Sequence, residues 1–303
     1  MGDSMIMMIA AHQFVLQGFE VDFFTNHLHS FGPWLDQVCF RQLFDKEFTE
    51  ESLWGFDTII MHHENTLRAQ SIHRLREKGK TVYAFYNNYH PNKHPPLDAE
   101  FDFSFSQQKT MAQCVAEATA KILDLPYPSM EIGMKIPEEL VFRKNKRKVL
   151  LHPTSANPLK NWSKKKFIRL AKKLRKEGFQ PTFIVSPKER KDWLFVLDLG
   201  FDVPLLPRLS DLAGLTYEAG FFIGNDSGPG HLASYLQIPN LILAQRKNSI
   251  FHWRPGWLQG PLLLPPKWTP NIKGLRLREN KWQFFVPVSK VLKTFQEYRD
   301  QLN

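Results

Sequence analysis

The sequence predicts an α/β protein built of two Rossmann-like lobes facing a central cleft, and three observations carry that prediction. Short runs rich in Ile, Val, Phe and Tyr alternate with stretches of helical apolar spacing, an order that calls for crossover connections, parallel sheets and helices on their faces. A chain of 303 residues, 43% hydrophobic and 23% charged, exceeds what one core usually holds and divides into two domains. Between the halves, a segment from Leu125 to Pro137 with three prolines is followed by the charge run Arg143 to Lys148, after which the alternation restarts. The lobes are therefore expected at residues 1–142 and 143–303.

In the first lobe, β-branched and aromatic content predicts strands at Phe19–Asn26, Asp57–His62 and Thr81–Tyr86, and apolar periodicity predicts helices at Leu67–Lys78 and Thr110–Leu123. The second lobe reads as a strand at Lys148–His152, a helix at Ser163–Glu177, a strand at Gln180–Val185 and a helix at Lys188–Leu199. A short helix at Ser210–Ala219, a strand at Gly220–Gly224, a helix at Gly230–Leu236 and a strand at Asn240–Ala244 follow. From Gln245 to Trp282, with five prolines and four tryptophans, the pattern is irregular, and an amphipathic helix is expected from Val288 to Leu302. Open α/β sheets bind ligands at the carboxyl ends of their strands, so function is expected on those loops.

Composition narrows the partners. Lys plus Arg exceed Asp plus Glu by 40 − 30 = +10, which favours an anionic partner: a nucleotide, a phosphorylated lipid, a membrane surface or nucleic acid. No helix-turn-helix, zinc-finger or RNA-recognition signature is present, so nucleic acid is set aside. Apolar runs such as Met5–Ala11 are far shorter than the ~20 residues that cross a bilayer, and no signal peptide opens the chain. A cytoplasmic protein is expected. Cys39 and Cys114 are too few for a disulfide scaffold or a metal ribbon and are expected as small core residues.

Two loops of the second lobe carry chemistry. HPTSANPLKNWSKKKF, residues 152–167, runs from a strand end through small hydroxyl residues and a lysine into a helix start. Thr154, Ser155 and free backbone N–H groups can donate to phosphate oxygens, and Lys160 can place a positive charge beside them. A solvent loop capped by Ser163 fits the same residues. The second loop, GNDSGPGHLASYLQIP, follows the strand ending at Gly224. Its glycines 228 and 230 allow close backbone approach, Asp226 and Ser227 supply an acceptor and a donor, and His231 sits on the first helical turn. Neither loop is a P-loop or a G-x-G-x-x-G fingerprint.

Together the loops resemble the lipopolysaccharide heptosyltransferases, ADP-heptose-dependent inverting glycosyltransferases of the GT-B fold. Thr154, Ser155, Lys160 and Trp162 match that family's small-residue loop and K-x-W, and Asp226, Ser227, Gly228 and His231 match its D-[TS]-G-x-x-H. The resemblance implies that Thr154, Ser155 and Lys160 hold the diphosphate, with Lys160 also offsetting charge on the leaving nucleotide. It implies that Asp226, Ser227, Gly228 and His231 contact sugar and phosphates, and that Glu189 contacts the nucleoside. Asp3 matches the aspartate of a G-D motif, thought to be the general base, but it stands at the third residue. The family's first strand is then missing from the N-terminal lobe, and Asp3 is expected on a frayed terminus.

The resemblance further implies an ADP-sugar donor, no cofactor or metal, and an anionic glycolipid acceptor reached by peripheral contact with the inner membrane face. The first lobe would bind that acceptor with His62, His63, Tyr86, Asn87, Asn88, Tyr89, His90, Lys93 and His94. A metal on those histidines is not expected, because adjacent residues of a strand point to opposite faces. The alternatives are a nucleotide-sugar-binding homologue with impaired catalysis, or another enzyme of the same architecture using a different nucleotide-sugar.

Overall fold

A computed structural model describes residues 1–42, 51–64, 66–245, 250–272 and 275–302. Its contacts divide the chain into two compact units, one of residues 6–29 and 36–133, the other of residues 1–5, 30–35 and 134–303.

The first helix, α1 (Gly2–Leu16), was not expected from the sequence. Its apolar residues lie all round, which marks a buried helix and leaves no amphipathic period to read. Met5, Ile6, Met8, Ile9, Ala10, Ala11 and Phe14 are all buried. The expected frayed terminus is thereby corrected: Asp3 lies in the first turn of this 15-residue helix, where a carboxylate complements the helix dipole.

In the unit of residues 6–29 and 36–133, β1 (Asp22–Phe24) pairs in parallel with β2 (Cys39–Arg41). A separate parallel sheet has the order β3 (Thr58–His62), β4 (Thr81–Tyr86), β5 (Asp102–Ser104). Between β3 and β4 the helical periodicity is realised as α2 (Leu67–Arg74) and one 3-10 turn, closed by Gly79 at φ 84°. After β5, Thr110 and Gln113 form a capping box at the start of α3 (Met111–Ile122). A cavity of about 410 Å³ is lined by Met7, Ala10, Ala11 and Phe14 of α1, Asp22 and Phe23 of β1, and Thr58 and Ile60 of β3. Cys39 is exposed, unlike Cys114, which corrects the expectation that both cysteines are core residues.

The other unit holds one five-stranded parallel sheet. Its strands are β6 (Asn145–His152), β7 (Gln180–Phe183), β8 (Ala219–Asn225), β9 (Asn240–Leu243) and β10 (Leu262–Leu263), in the order β10-β9-β8-β6-β7. The last four residues of the charge run, Asn145 to Lys148, thus begin a strand. The register of β6 slips between Asn145 and Val149, opposite Gly220, where a Cβ would stand 2.1 Å from the Lys146 carbonyl oxygen. The helix α4 (Lys164–Lys176) turns Phe167, Leu170, Ala171 and Leu174 into the core and presents Lys165, Lys172, Lys173 and Lys176 to solvent.

The helix expected at Lys188–Leu199 is instead a 3-10 turn, Arg190–Trp193, followed by the single turn α5 (Phe195–Asp198). Helices α6 (Leu209–Tyr217) and α7 (Gly228–Tyr235) flank β8. Beyond β9 the segment expected to be irregular contains α8 (Ile250–Trp253), the hairpin of β11 (Asn271–Ile272) and β12 (Leu275–Arg276), and α9 (Leu277–Asn280). The closing helix is α10 (Val288–Asp300), whose Val291 and Phe295 join the core of β6, β8 and α4.

Candidate functional site

Numbered along its own unit, the five-stranded sheet has the order 2-1-3-4-5, and its order reverses between β6 and β8. Crossovers from these two strands leave in opposite directions, which opens a crevice at their carboxyl ends. His152 ends β6, Asn225 ends β8, and both loops singled out in the sequence begin there. A cavity of about 500 Å³ lies at this point, lined among others by Asp3, Ser155, Asn157, Lys160, Asp226, Ser227, Gly228 and His231. Gln245, Ile250 and Trp253, which the sequence analysis did not select, complete its wall.

The turn that carries Lys160 is pinned on both sides. Leu159 C=O accepts from Gln245 Nε2 at 2.6 Å and from Trp282 Nε1 at 2.9 Å, and Trp162 N–H donates to Asn225 Oδ1 at 2.8 Å. Trp162, 1% exposed, anchors through Nε1 to Val286 C=O at 2.9 Å. Lys160 Nζ then reaches Asp226 Oδ2 at 2.9 Å, with the lysine side chain 38% exposed and the aspartate 10%. Lys160 is the more exposed partner, so its ammonium can turn from Asp226 toward an anion in the cavity.

Ser227 is held by the sheet. Its Oγ lies 3.0 Å from Asn225 C=O and 3.1 Å from His152 Nδ1. Burial pushes His152 down to about 4, with Glu189 opposing the shift, so the ring is neutral at pH 7. Burial also lowers His231, against the pull of Asp226 and Asp3, and its Nδ1 is buried without a hydrogen-bond partner among the described residues. Gly228 is required by close approach, since a Cβ there would stand 2.7 Å from the Met1 side chain and 3.2 Å from Gly2 N. The first turn of α1 packs here, with a Cβ on Gly2 falling 3.0 Å from the His231 ring. That packing brings Asp3 to the cavity.

The remaining expected residues are arranged differently. Thr154 Oγ1 donates to Glu189 Oε2 at 3.2 Å, and the same oxygen accepts from Ser186 Oγ at 2.6 Å. Neither Thr154 nor Glu189 is among the residues lining the 500 Å³ cavity. Ser155 does line it, with its Oγ 2.8 Å from Asn157 C=O and 2.7 Å from Asn161 Oδ1.

In the other unit the expected histidine loop packs on itself. The His63 ring stacks on Tyr86 at 4.5 Å, edge-on to His94 at 5.4 Å and to His73 at 6.0 Å. Burial lowers His63 to about 4 and raises Tyr86 to about 12. Tyr89 stacks on His94 at 5.6 Å, and the His90 N–H donates to His94 Nδ1 at 2.9 Å. Among the described residues no group of three or more His, Cys, Asp or Glu is placed to hold a metal ion, and no helix is long and apolar enough to cross a membrane.

Comparison with known proteins gives concordant matches. The sequence model of glycosyltransferase family 9 (heptosyltransferase) matches residues 93–251. Over 132 residues, 41% of this chain, the sequence is 28% identical to lipopolysaccharide heptosyltransferase 3 of Escherichia coli (strain K12), and that match spans 34% of the relative's length. Among solved structures, the E. coli ADP-heptose LPS heptosyltransferase II superposes with a TM-score of 0.67 at 15% identity, over 98% of this chain and 95% of that one. E. coli heptosyltransferase WaaC with ADP-2-deoxy-2-fluoro heptose gives 0.68 at 14% identity, over 98% and 96%. The likeness shows that the fold is that of the GT-B heptosyltransferases.

Proposed function

Since the chain belongs to glycosyltransferase family 9, the heptosyltransferase family, we propose that it moves a heptose or related sugar from an ADP-sugar to a lipopolysaccharide core or similar glycolipid, with inversion. The observation that carries this reading is the cavity at the β6/β8 switch point, where Lys160, Asp226, Ser227, Gly228, His231 and Asp3 converge. The N-terminus of α7, which opens at Gly228, offers the Gly228 N–H and the positive end of its dipole to a diphosphate. Lys160 exchanges its Asp226 partner for the diphosphate and stabilises the charge that grows as the nucleotide leaves. Asp3 takes the proton of the acceptor hydroxyl, the acceptor oxygen bonds to the anomeric carbon, and the sugar–phosphate bond breaks on the opposite face, releasing ADP.

In this scheme Ser155 donates to a phosphate oxygen, Asp226 accepts from sugar hydroxyls, and Thr154 is oriented by Glu189, which faces the nucleoside. No metal or cofactor takes part, because Lys160 and the helix dipole supply the positive charge. Residues 143–303 bind the donor, and residues 1–142 bind the anionic glycolipid at the inner face of the cytoplasmic membrane.

Calorimetry with ADP tests the donor site. Saturable binding is expected, weakened on the order of 50-fold by Lys160→Ala, the loss of one charge-assisted hydrogen bond. A folded chain that does not bind ADP would sink the reading.

A further inference from the structure

Gln245, two residues beyond β9, is 5% exposed and lines the same cavity. Its amide nitrogen donates to Leu159 C=O at 2.6 Å. A carbonyl oxygen only accepts, so this bond fixes which way the amide is turned. The other atom, Oε1, is buried and has no hydrogen-bond partner among the described residues. A buried acceptor left without a donor costs free energy that a ligand can recover.

We infer that Gln245 is a specificity-determining residue: its Oε1 accepts a hydrogen bond from a hydroxyl of the sugar carried by the nucleotide donor. The inference rests on the donor-site reading above and goes beyond it by naming a contact outside both signature loops. The chemistry excludes the diphosphate as the partner, because phosphate oxygens at neutral pH bring no proton to donate. A polyhydroxylated sugar brings several. The same side chain also acts on Lys160, through the carbonyl of the preceding residue, so one amide couples the phosphate lysine to sugar recognition.

The two roles separate by comparing two probes, ADP and ADP-heptose, on the full chain. The readout is the ratio of their dissociation constants, which cancels any effect on the shared diphosphate site. The parent chain is expected to bind ADP-heptose more tightly than ADP. Gln245→Met, of similar volume, has neither amide function and should reduce that ratio about tenfold, the worth of one buried hydrogen bond. Gln245→Glu retains an acceptor oxygen but loses the tie to Leu159 and brings a negative charge. It should therefore keep the ratio within about threefold of the parent while weakening both probes.

Equal losses for both probes in Gln245→Met, with the ratio intact, would show that Gln245 acts only through the lysine turn and would overturn the proposal. Loss of the ratio in Gln245→Glu as well as in Gln245→Met would also overturn it. Failure of the parent chain to bind ADP strikes the donor-site reading first, and the proposal falls with it.

Discussion

At the scale of single residues, the site sets an ion pair close to a ring that burial holds neutral. Lys160 Nζ and Asp226 Oδ2 stand 2.9 Å apart, whereas His152 is held neutral inside the sheet. If Asp3 is the base, Asp3→Ala should leave ADP affinity unchanged and lower the transfer rate by roughly 10²- to 10⁴-fold, the span of general-base catalysis; normal transfer by that variant would remove Asp3 from the mechanism. The histidines also set a pH dependence. His152 and His63 both fall to about 4 on folding, below the ~6.5 of an unfolded histidine. The unfolded chain therefore binds more protons between those values, so their contribution to stability is complete above about pH 6.5 and is lost as pH falls toward 4. Thermal melts across that range should show the unfolding midpoint dropping, with the steepest fall in this window; a flat profile would mean that neither ring stays neutral on folding.

At the scale of elements, the turn around Lys160 depends chiefly on groups far from it in sequence. Trp162, Asn225, Gln245 and Trp282 hold the turn around Lys160 through the bonds to Leu159 C=O, Trp162 N–H and Val286 C=O. Trp162→Ala should cost about 3–5 kcal/mol of stability, the usual range for emptying a buried tryptophan site, and should be read by denaturant unfolding; a loss below 1 kcal/mol would mean that the ring is not part of the core. In the unit of residues 6–29 and 36–133, β1-β2 and β3-β4-β5 are separate sheets, with the 410 Å³ cavity lined by both β1 and β3 over α1. Ala11→Leu adds apolar volume from the α1 side of that cavity. It should raise the melting temperature by a few degrees, the return on about 1 kcal/mol of added burial. A lowered melting temperature would mean that the space is already filled.

For the whole molecule, the excess of 40 basic over 30 acidic residues acts through long-range attraction rather than through any one contact. Much of it stands on the solvent face of α4, at Lys165, Lys172, Lys173 and Lys176, clear of the residues lining the site. If that charge brings the protein to an anionic glycolipid, it should co-sediment with vesicles rich in phosphatidylglycerol at low ionic strength. Release is expected in about 0.5 M salt, where the screening length falls to a few ångströms. Equal binding to neutral phosphatidylcholine vesicles would show that charge does not direct the encounter.

Sequence alone determined what local pattern can encode. The amphipathic period of α4, the helical spacing of α3 and the apolar run of β8 each recur close to where they were expected. The two loops with Lys160 and Asp226 were legible because strand end, small residues and helix start are contiguous in the chain. The tertiary structure decided the rest. Helix α1 was hidden because a helix buried on all sides has no period to detect, and its packing against Gly228 and His231 is what brings Asp3 to the cavity. Gln245 was hidden because nothing local distinguishes a glutamine just past a strand end. It became part of the site only when the switch point set β9 beside β8 and the irregular segment after it closed the wall with Ile250 and Trp253. Periodicity is a property of neighbours in the chain, and a site depends on residues brought together by topology across more than two hundred positions.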